Sequence, residues 1–217
     1  MNIKKIKGLK FPDEYLTRFF FKNKLFKKKG NVTEFGCGNG NNLTLFFDYN
    51  YKVVGIDNNK NHIKEAIQNF KKKKKINNFK FFKDDMFNYI DKIRKINSNI
   101  IIFCNSIYYL DYIKIEKIID NLKKKTNKKT LFFFRIRLDS DDRKKFSKKI
   151  AKNTYRIQSN ITNEKNSLIT FFKEKDFIKL IQKKFRAKKI YKFKSVNENL
   201  LRNKIISNKD LIVWFKS

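Results

Sequence analysis

Apolar positions follow two alternating patterns along the chain. Short apolar runs at 31–35, 52–56, 79–82, 99–104 and 131–134 read as strands. The run at 99–104 is continuously apolar after Asn99, as expected of a central strand covered on both faces. Between the runs the spacing changes to that of a helix. Ile63, Ala66, Ile67 and Phe70 recur at i, i+3, i+4 and i+7, and Ile115, Ile118, Ile119 and Leu122 repeat the interval. Phe177, Ile178, Ile181 and Phe185 mark a further helix, followed by strands at 188–193 and 211–215 with no helical pattern between them. A helix also opens at Pro12-Asp13-Glu14, with Leu16, Phe19 and Phe20 as its buried stripe. Strand and helix in alternation predict an α/β fold, a doubly wound and mostly parallel sheet of seven strands whose last strand is antiparallel. Residues 138–170 are polar and charged and read as an excursion above that sheet.

Punctuation is sparse. One proline and six glycines serve 217 residues, no Gly/Pro/Ser-rich linker divides them, and a single domain over 1–217 is expected. Two cysteines, Cys37 and Cys104, and one histidine, His62, exclude a disulfide scaffold and a Cys/His metal cage, so no metal is expected. There is no 18-residue apolar run, and residues 1–10 are interrupted by Lys4, Lys5, Lys7 and Gly8. A soluble cytoplasmic protein without a membrane span is the expectation; nothing in the sequence sets an oligomeric state.

The 54 basic residues against 20 acidic ones leave a net charge of +34. Lysine, isoleucine, asparagine and phenylalanine make up 125 of the 217 residues, all four written by A/T-rich codons, which weakens the inference from charge to a nucleic-acid partner. Placement is more informative than the total. Lysine runs at 27–29, 71–75, 123–125 and 183–184 fall at predicted helix C-termini, away from the ligand edge of a parallel sheet. Glu34, Asp57, Asp84, Asp85, Asp111, Asp139, Asp141 and Asp142 follow strands instead. A domain polarised in this way is expected to hold its chemistry at the acidic end.

Ligands of such sheets bind beyond the carboxyl ends of the strands. There the first strand runs into Glu34-Phe35-Gly36-Cys37-Gly38-Asn39-Gly40, and the second ends at Asp57, placed to accept both hydroxyls of a ribose. A dinucleotide fingerprint calls for a sixth-position glycine where Asn41 stands, and Glu34 suits an ammonium better than a phosphate. The glycine loop resembles motif I of class I S-adenosylmethionine-dependent methyltransferases. Asp57, after Val53-Val54-Gly55-Ile56, is similar to that family's ribose acid; Asp84-Asp85-Met86 resembles its adenine segment, and Cys104-Asn105-Ser106-Ile107-Tyr108-Tyr109-Leu110 its motif IV.

The resemblance implies a Rossmann-like fold, S-adenosylmethionine as cofactor and S-adenosylhomocysteine as product. It assigns Glu34, Gly36, Cys37, Gly38, Asn39, Gly40, Asp57, Asn58, Asp85, Met86 and Asn105 to the donor. Asp84 stands where the family has glycine, so either carboxylate could meet the adenine, with Asp85 preferred. Asn105 replaces a common aspartate, leaving no obvious general base, and Asn105 and Tyr108 are the catalytic candidates. Tyr15, Arg18, Tyr109, Arg135 and Arg137 are candidates for the acceptor, with pairing to Asp139, Asp141 or Asp142 the alternative for the two arginines. His62 reads as solvated. The division expected is an N-terminal helical lid at 1–29, a donor-binding half at 30–137, and an acceptor side with closing strands at 138–217. The acceptor expected is a small molecule; an RNA or protein acceptor, or a donor-binding domain without activity, are the alternatives.

Overall fold

A computed structural model describes residues 3–73 and 78–217. Lys74 and Lys75, part of the lysine run at 71–75, lie outside the described residues. Seven strands form the main sheet: β1 (Asn31–Phe35), β2 (Lys52–Asp57), β3 (Phe79–Lys83), β4 (Ile100–Cys104), β5 (Leu131–Arg137), β9 (Ile190–Leu201) and β10 (Lys204–Lys216). Their order is β3-β2-β1-β4-β5-β10-β9, with β10 antiparallel to both its neighbours and β1 to β5 parallel. This is the doubly wound, mostly parallel sheet that the patterning predicts. Strand order reverses between β1 and β4, which opens a crevice at their carboxyl ends.

The inner strands alternate their side chains between two apolar layers. Phe133 joins the layer formed with α1 (Glu14–Lys22), α2 (Asn41–Asp48) and α3 (Lys60–Lys71), whereas Phe132 and Phe134 join the one formed with α4 (Met86–Lys92), α5 (Tyr112–Lys125) and α6 (Glu174–Phe185). The five residues of β4 are all buried, so the central strand is covered from both sides as expected. Among the described residues no helix is long and apolar enough to cross a membrane, and no group of three or more acidic, histidine or cysteine side chains is placed to hold a metal.

Three features depart from the sequence reading. Residues 138–170 are not featureless: they contain a second sheet in the order β6 (Ser147–Ala151), β7 (Thr154–Ile157), β8 (Leu168–Thr170). The closing strands are longer than the apolar runs and form one hairpin, turned by Arg202 and Asn203 at φ of 49° and 61°. Its outer arms mix exposed apolar residues (Val196, Leu200, Ile205) with polar ones in no strict alternation, and it is their register with each other that marks them as strands. The short helix α4 went unread; Asp85 caps it by accepting the N–H groups of Phe87 (2.9 Å) and Asn88 (3.1 Å).

Candidate active site

The glycine loop leaves β1 by hooking onto its neighbour, with the N–H groups of Gly36 and Cys37 donating to the Ile56 carbonyl at 2.7 and 3.1 Å. Gly36 adopts φ +74°, and a Cβ there would lie 2.3 Å from that of Ser106, so only glycine lets β1 and β4 close at the reversal point. At Gly38 (φ +53°) a Cβ would meet nothing within 4 Å, because its backbone faces open space. Its N–H donates to Asp57 Oδ2 at 2.8 Å, while Asp57 Oδ1 accepts from the Asn59 N–H at 2.9 Å. One carboxylate therefore couples the first two loops.

Around this junction lies a two-lobed crevice. Gly36, Gly38, His62 and Asn105 belong to both lobes. The first, of about 390 Å³, is walled by Asp57, Asn58, Asp84, Asp85, Met86 and Tyr109 among others. The second, of about 550 Å³, lies between Cys37, Asn39, Asn41, Asn42 and Cys104 on one side and Gly8, Leu9, Phe11 and Asp13 on the other. Asparagines tie that N-terminal segment down. Asn39 Nδ2 donates to the Leu9 carbonyl (2.8 Å) and to that of Lys7, Asn41 Nδ2 to that of Phe11 (2.8 Å), and Asn42 Oδ1 accepts from the Asp13 N–H (2.8 Å). Among the described residues neither lobe has a lysine or arginine in its wall.

Two buried acceptors lack a partner, one in the crevice wall and one behind it. Glu34 is 1% exposed; its Oε1 accepts from Asn42 Nδ2 at 2.6 Å and its Oε2 from nothing. Burial pushes its carboxyl well above the usual carboxylate range, more than the Asn42 bond draws it down. Asn105, in the left-handed region at φ +54°, has an unpartnered buried Oδ1. An open glycine backbone, a carboxylate at the next strand end and the waiting Asn105 acceptor in the wall, with Glu34 behind it, fit a ligand carrying a cation and a diol. Burial also pushes the thiols of Cys37 and Cys104 well up, which keeps both protonated.

Of the donor residues expected from the sequence, Gly36, Cys37, Gly38, Asn39, Asp57, Asn58, Asp85, Met86 and Asn105 line the crevice, and Asp84 stands beside Asp85. Glu34 lies behind the wall, reaching it through Asn42, and Gly40 packs against Phe70 and Phe81.

The acceptor candidates separate. Tyr109 is in the wall and its hydroxyl donates to Glu164 Oε1 at 2.7 Å; Tyr108 is buried and its hydroxyl accepts from Arg137 Nη2 at 3.0 Å. Arg135 binds Asp210 (2.9 and 2.7 Å) and Asp13, while Arg137 lies 3.2 Å from Asp141 and 2.8 Å from Asp210. Both guanidiniums are thus taken by carboxylates, and of the three acids weighed as partners only Asp141 is one. Tyr15 is buried with its hydroxyl 2.6 Å from Ser195 Oγ, and Arg18 is exposed over the Tyr15 ring; neither touches the crevice, which residues 8–13 cover instead of the helix.

His62 is solvated, as the sequence reading has it, and it also stands at the crevice. It edges both lobes, with Nδ1 3.5 Å from Asp57 Oδ1 and its side chain 49% exposed. Its place in the first turn of the helix after β2 was the available signal, since that turn must open at the carboxyl edge. Glu164 and Arg143 were also missed. Arg143 Nε donates to Glu164 Oε2 at 2.5 Å, so the excursion clamps Tyr109 from above. Burial raises the Glu164 carboxyl, but the bonds from Arg143 and Tyr109 outweigh it and hold it below its ordinary range.

A family model described as a methyltransferase domain matches residues 7–184. No curated protein matches the chain. Among solved structures, TehB from Haemophilus influenzae is similar at 15% identity and a TM-score of 0.68, covering 99% of this chain and 65% of its own. This chain therefore spans about two thirds of that protein's length. An S-adenosylmethionine-dependent methyltransferase from Methanosarcina mazei aligns at 15% identity, TM-score 0.62, over 90% of this chain and 96% of its own. Magnesium protoporphyrin IX methyltransferase from Synechocystis PCC 6803, with bound S-adenosylmethionine, aligns at 12%, TM-score 0.61, over 94% and 77%.

Proposed function

The chain belongs to the methyltransferase-domain family, of the S-adenosylmethionine-dependent class I type, and on that footing we propose that it methylates a small-molecule acceptor. S-adenosylmethionine supplies an electrophilic methyl group on a sulfonium when bound. The chain's contribution is to hold and align. In this reading Asp57 and Asn58 take the ribose, Asp85 the adenine amino group through the oxygen not used to cap α4, and Met86 the ring face. The Gly36–Gly38 backbone, with Glu34 acting through Asn42, faces the ammonium end. Asn105, common to both lobes, sits where the two reactants meet.

Fixing two reactants in line is worth roughly 7–11 kcal/mol of barrier, so the reaction does not require a strong base. Asn105 brings an amide and no titratable group, and Tyr109, its phenol pushed up by burial and by the charge of Glu164, stays protonated and orients rather than deprotonates. An acceptor that ionises readily, or loses its proton to water, matches such a site.

The observation that carries the small acceptor is the boundary of the second lobe. Residues 8–13 are hydrogen-bonded along one side of it, bounding a partly open space of about 550 Å³ whose wall holds Asp13 and Glu65 and, among the described residues, no lysine or arginine. That volume is typical of a metabolite site, and an acidic wall opposes a phosphate-bearing chain. The test is S-adenosylhomocysteine release with fractionated cell extract. Turnover is expected with the fraction of low molecular mass; methyl label appearing in RNA or protein would overturn the small acceptor, and no turnover with any fraction would favour a donor-binding domain without activity.

A further inference from the structure

At the opposite edge of the sheet, below the amino ends of the parallel strands, lies a separate cavity of about 460 Å³. Lys28, Lys29, Lys129, Lys189 and Lys216 line it, and no aspartate or glutamate does. None of these five ammoniums forms an ion pair with a described carboxylate, in contrast to Lys73, Lys184 and Lys192 elsewhere. We propose that this edge binds single-stranded nucleic acid, with the lysines on its phosphates and Tyr191 beneath one of its bases.

Aromatic rings distinguish the patch from an ordinary solvated lysine face. Tyr191 stacks on the buried Trp214 with centroids 5.5 Å apart and planes at 12°, and remains 36% exposed. The ammonium of Lys22 lies 5.8 and 5.7 Å from these two rings, and that of Lys189 lies 4.9 Å from Tyr191. Next to Lys22 a second open cluster begins. Phe21 is 46% exposed and has its centroid 5.8 Å from that of Phe26 and 6.2 Å from that of Tyr49; Lys27 reaches over Phe26. Rings flanked by cations give successive bases their stacking surface whatever the sequence.

Lysine at helix ends answers the helix dipole, but that does not account for Lys129, Lys189 and Lys216, which stand on strand ends and turns. Nor does codon bias gather open aromatic rings at the same edge. Two ring platforms on either side of Lys22 extend beyond one nucleotide, so the occupant is a strand rather than a monomer. Because the donor crevice opens at the other edge, the bound strand is a tether and not the acceptor.

The test is fluorescence anisotropy with a labelled 12-residue oligouridylate across a salt series. Five phosphate contacts predict that log Kd rises with log salt at a slope of about 3.5, at about 0.7 per contact on a single strand. Tyr191→Ala is expected to weaken binding roughly 5- to 150-fold, the range for one lost stacking partner. The double variant Lys28→Glu/Lys29→Glu should weaken it at least as much, while Lys175→Glu/Lys179→Glu, with the same charge change on the exposed face of α6, should change it little. S-adenosylhomocysteine binding, measured in parallel, should stay unchanged in all four proteins and reports that they are folded. Equal losses in the two double variants would overturn the site in favour of net charge alone. Uridine monophosphate or polyglutamate binding as tightly as the oligomer would overturn the strand.

Discussion

At their carboxyl ends β1, β2 and β3 run out into Glu34, Asp57, Asp84 and Asp85, and β5 ends in two arginines closed by Asp13, Asp141 and Asp210. At their amino ends the strands are met by Lys29, Lys52 and Lys129, which have no described counter-ion. Nearly every charge at the first edge is paired, capped or buried, and its position is fixed to within a hydrogen bond. The lysines that line the cavity at the second edge form no ion pair among the described residues and are all of one sign. A fixed carboxylate recognises one group of one ligand; a band of free ammoniums acts through summed field and counter-ion release. The chain thus separates single-residue chemistry from collective electrostatics along the axis of its strands.

The sharpest way to break this contrast is Asp210→Ala. Asp210 is fully buried and serves Arg135 and Arg137 together, the second as an ion pair at 2.8 Å to an oxygen with no hydrogen bond. Removing it leaves Arg137 nine-tenths buried with only Asp141 opposite it. Loss of one partner of a buried pair costs about 3–5 kcal/mol, and urea unfolding should show a loss of that size. A loss below about 1 kcal/mol, the value for an exposed pair, would mean that the two edges do not differ.

Next in size is Asp57→Ala, read by calorimetry with S-adenosylhomocysteine. The expected loss of affinity is about 100-fold or more, near 3 kcal/mol, because charge-assisted bonds run at about 1.5–3 kcal/mol each. The carboxylate also holds the Gly38 and Asn59 N–H groups, so the loop loosens as the ribose partner disappears. Asp57→Asn, which keeps one acceptor for the loop, should fall between the two. Unchanged affinity would detach the acidic edge from the donor.

Much of the first edge was legible because topology does the placing. Once 31–35, 52–56, 79–82 and 99–104 are read as parallel strands, the residues that follow each must converge on one edge, and Gly36, Gly38, Asp57, Asp85 and Asn105 do so. The ion pairs were not legible in the same way. Arg135 finds Asp210 and Asp13 at separations of 75 and 122 residues, set by the antiparallel return of β10 and by the N-terminal segment folding over the crevice. Sequence proximity pointed to Asp139 and Asp142 instead. Tyr109 and Tyr108 illustrate a finer limit: neighbours in one turn with ring centroids 4.7 Å apart, one stands in the crevice wall and the other in the interior, their hydroxyls bonded to Glu164 and Arg137 respectively. The basic edge was visible as charge runs, but its rings were not, since Tyr191 meets Lys22 only through the stacking of β9 on β10 beside α1.

A smaller effect is expected at Glu34, where the acidic edge works against stability. Its carboxyl is raised by burial, so the folded chain binds that proton more tightly than the unfolded one. The contribution is fully present below the ordinary glutamate value and is lost as pH rises through the raised one. Glu34→Gln removes this dependence while keeping an acceptor for Asn42. The variant should therefore be more stable than the parent at pH 8, by about 1–3 kcal/mol as for other unsatisfied buried groups, with the gap closing towards pH 4. Donor affinity should fall in the same variant. A gap that widens on acidification would reverse the sign and place the charge in a favourable site.

The smallest effect belongs to the other edge. Lys216→Ala removes one exposed ammonium without an ion pair, and its stability should stay within about 0.5 kcal/mol of the parent at any pH between 5 and 8. The informative quantity is its dependence on salt. Mutual repulsion among Lys28, Lys29, Lys129, Lys189 and Lys216 is screened within a Debye length of about 10 Å at 0.1 M. Deleting one of them should thus stabilise slightly at low ionic strength and do nothing at high ionic strength. A variant less stable at low salt would mean that Lys216 meets a negative charge there, and the contrast between paired and unpaired edges would end at that residue.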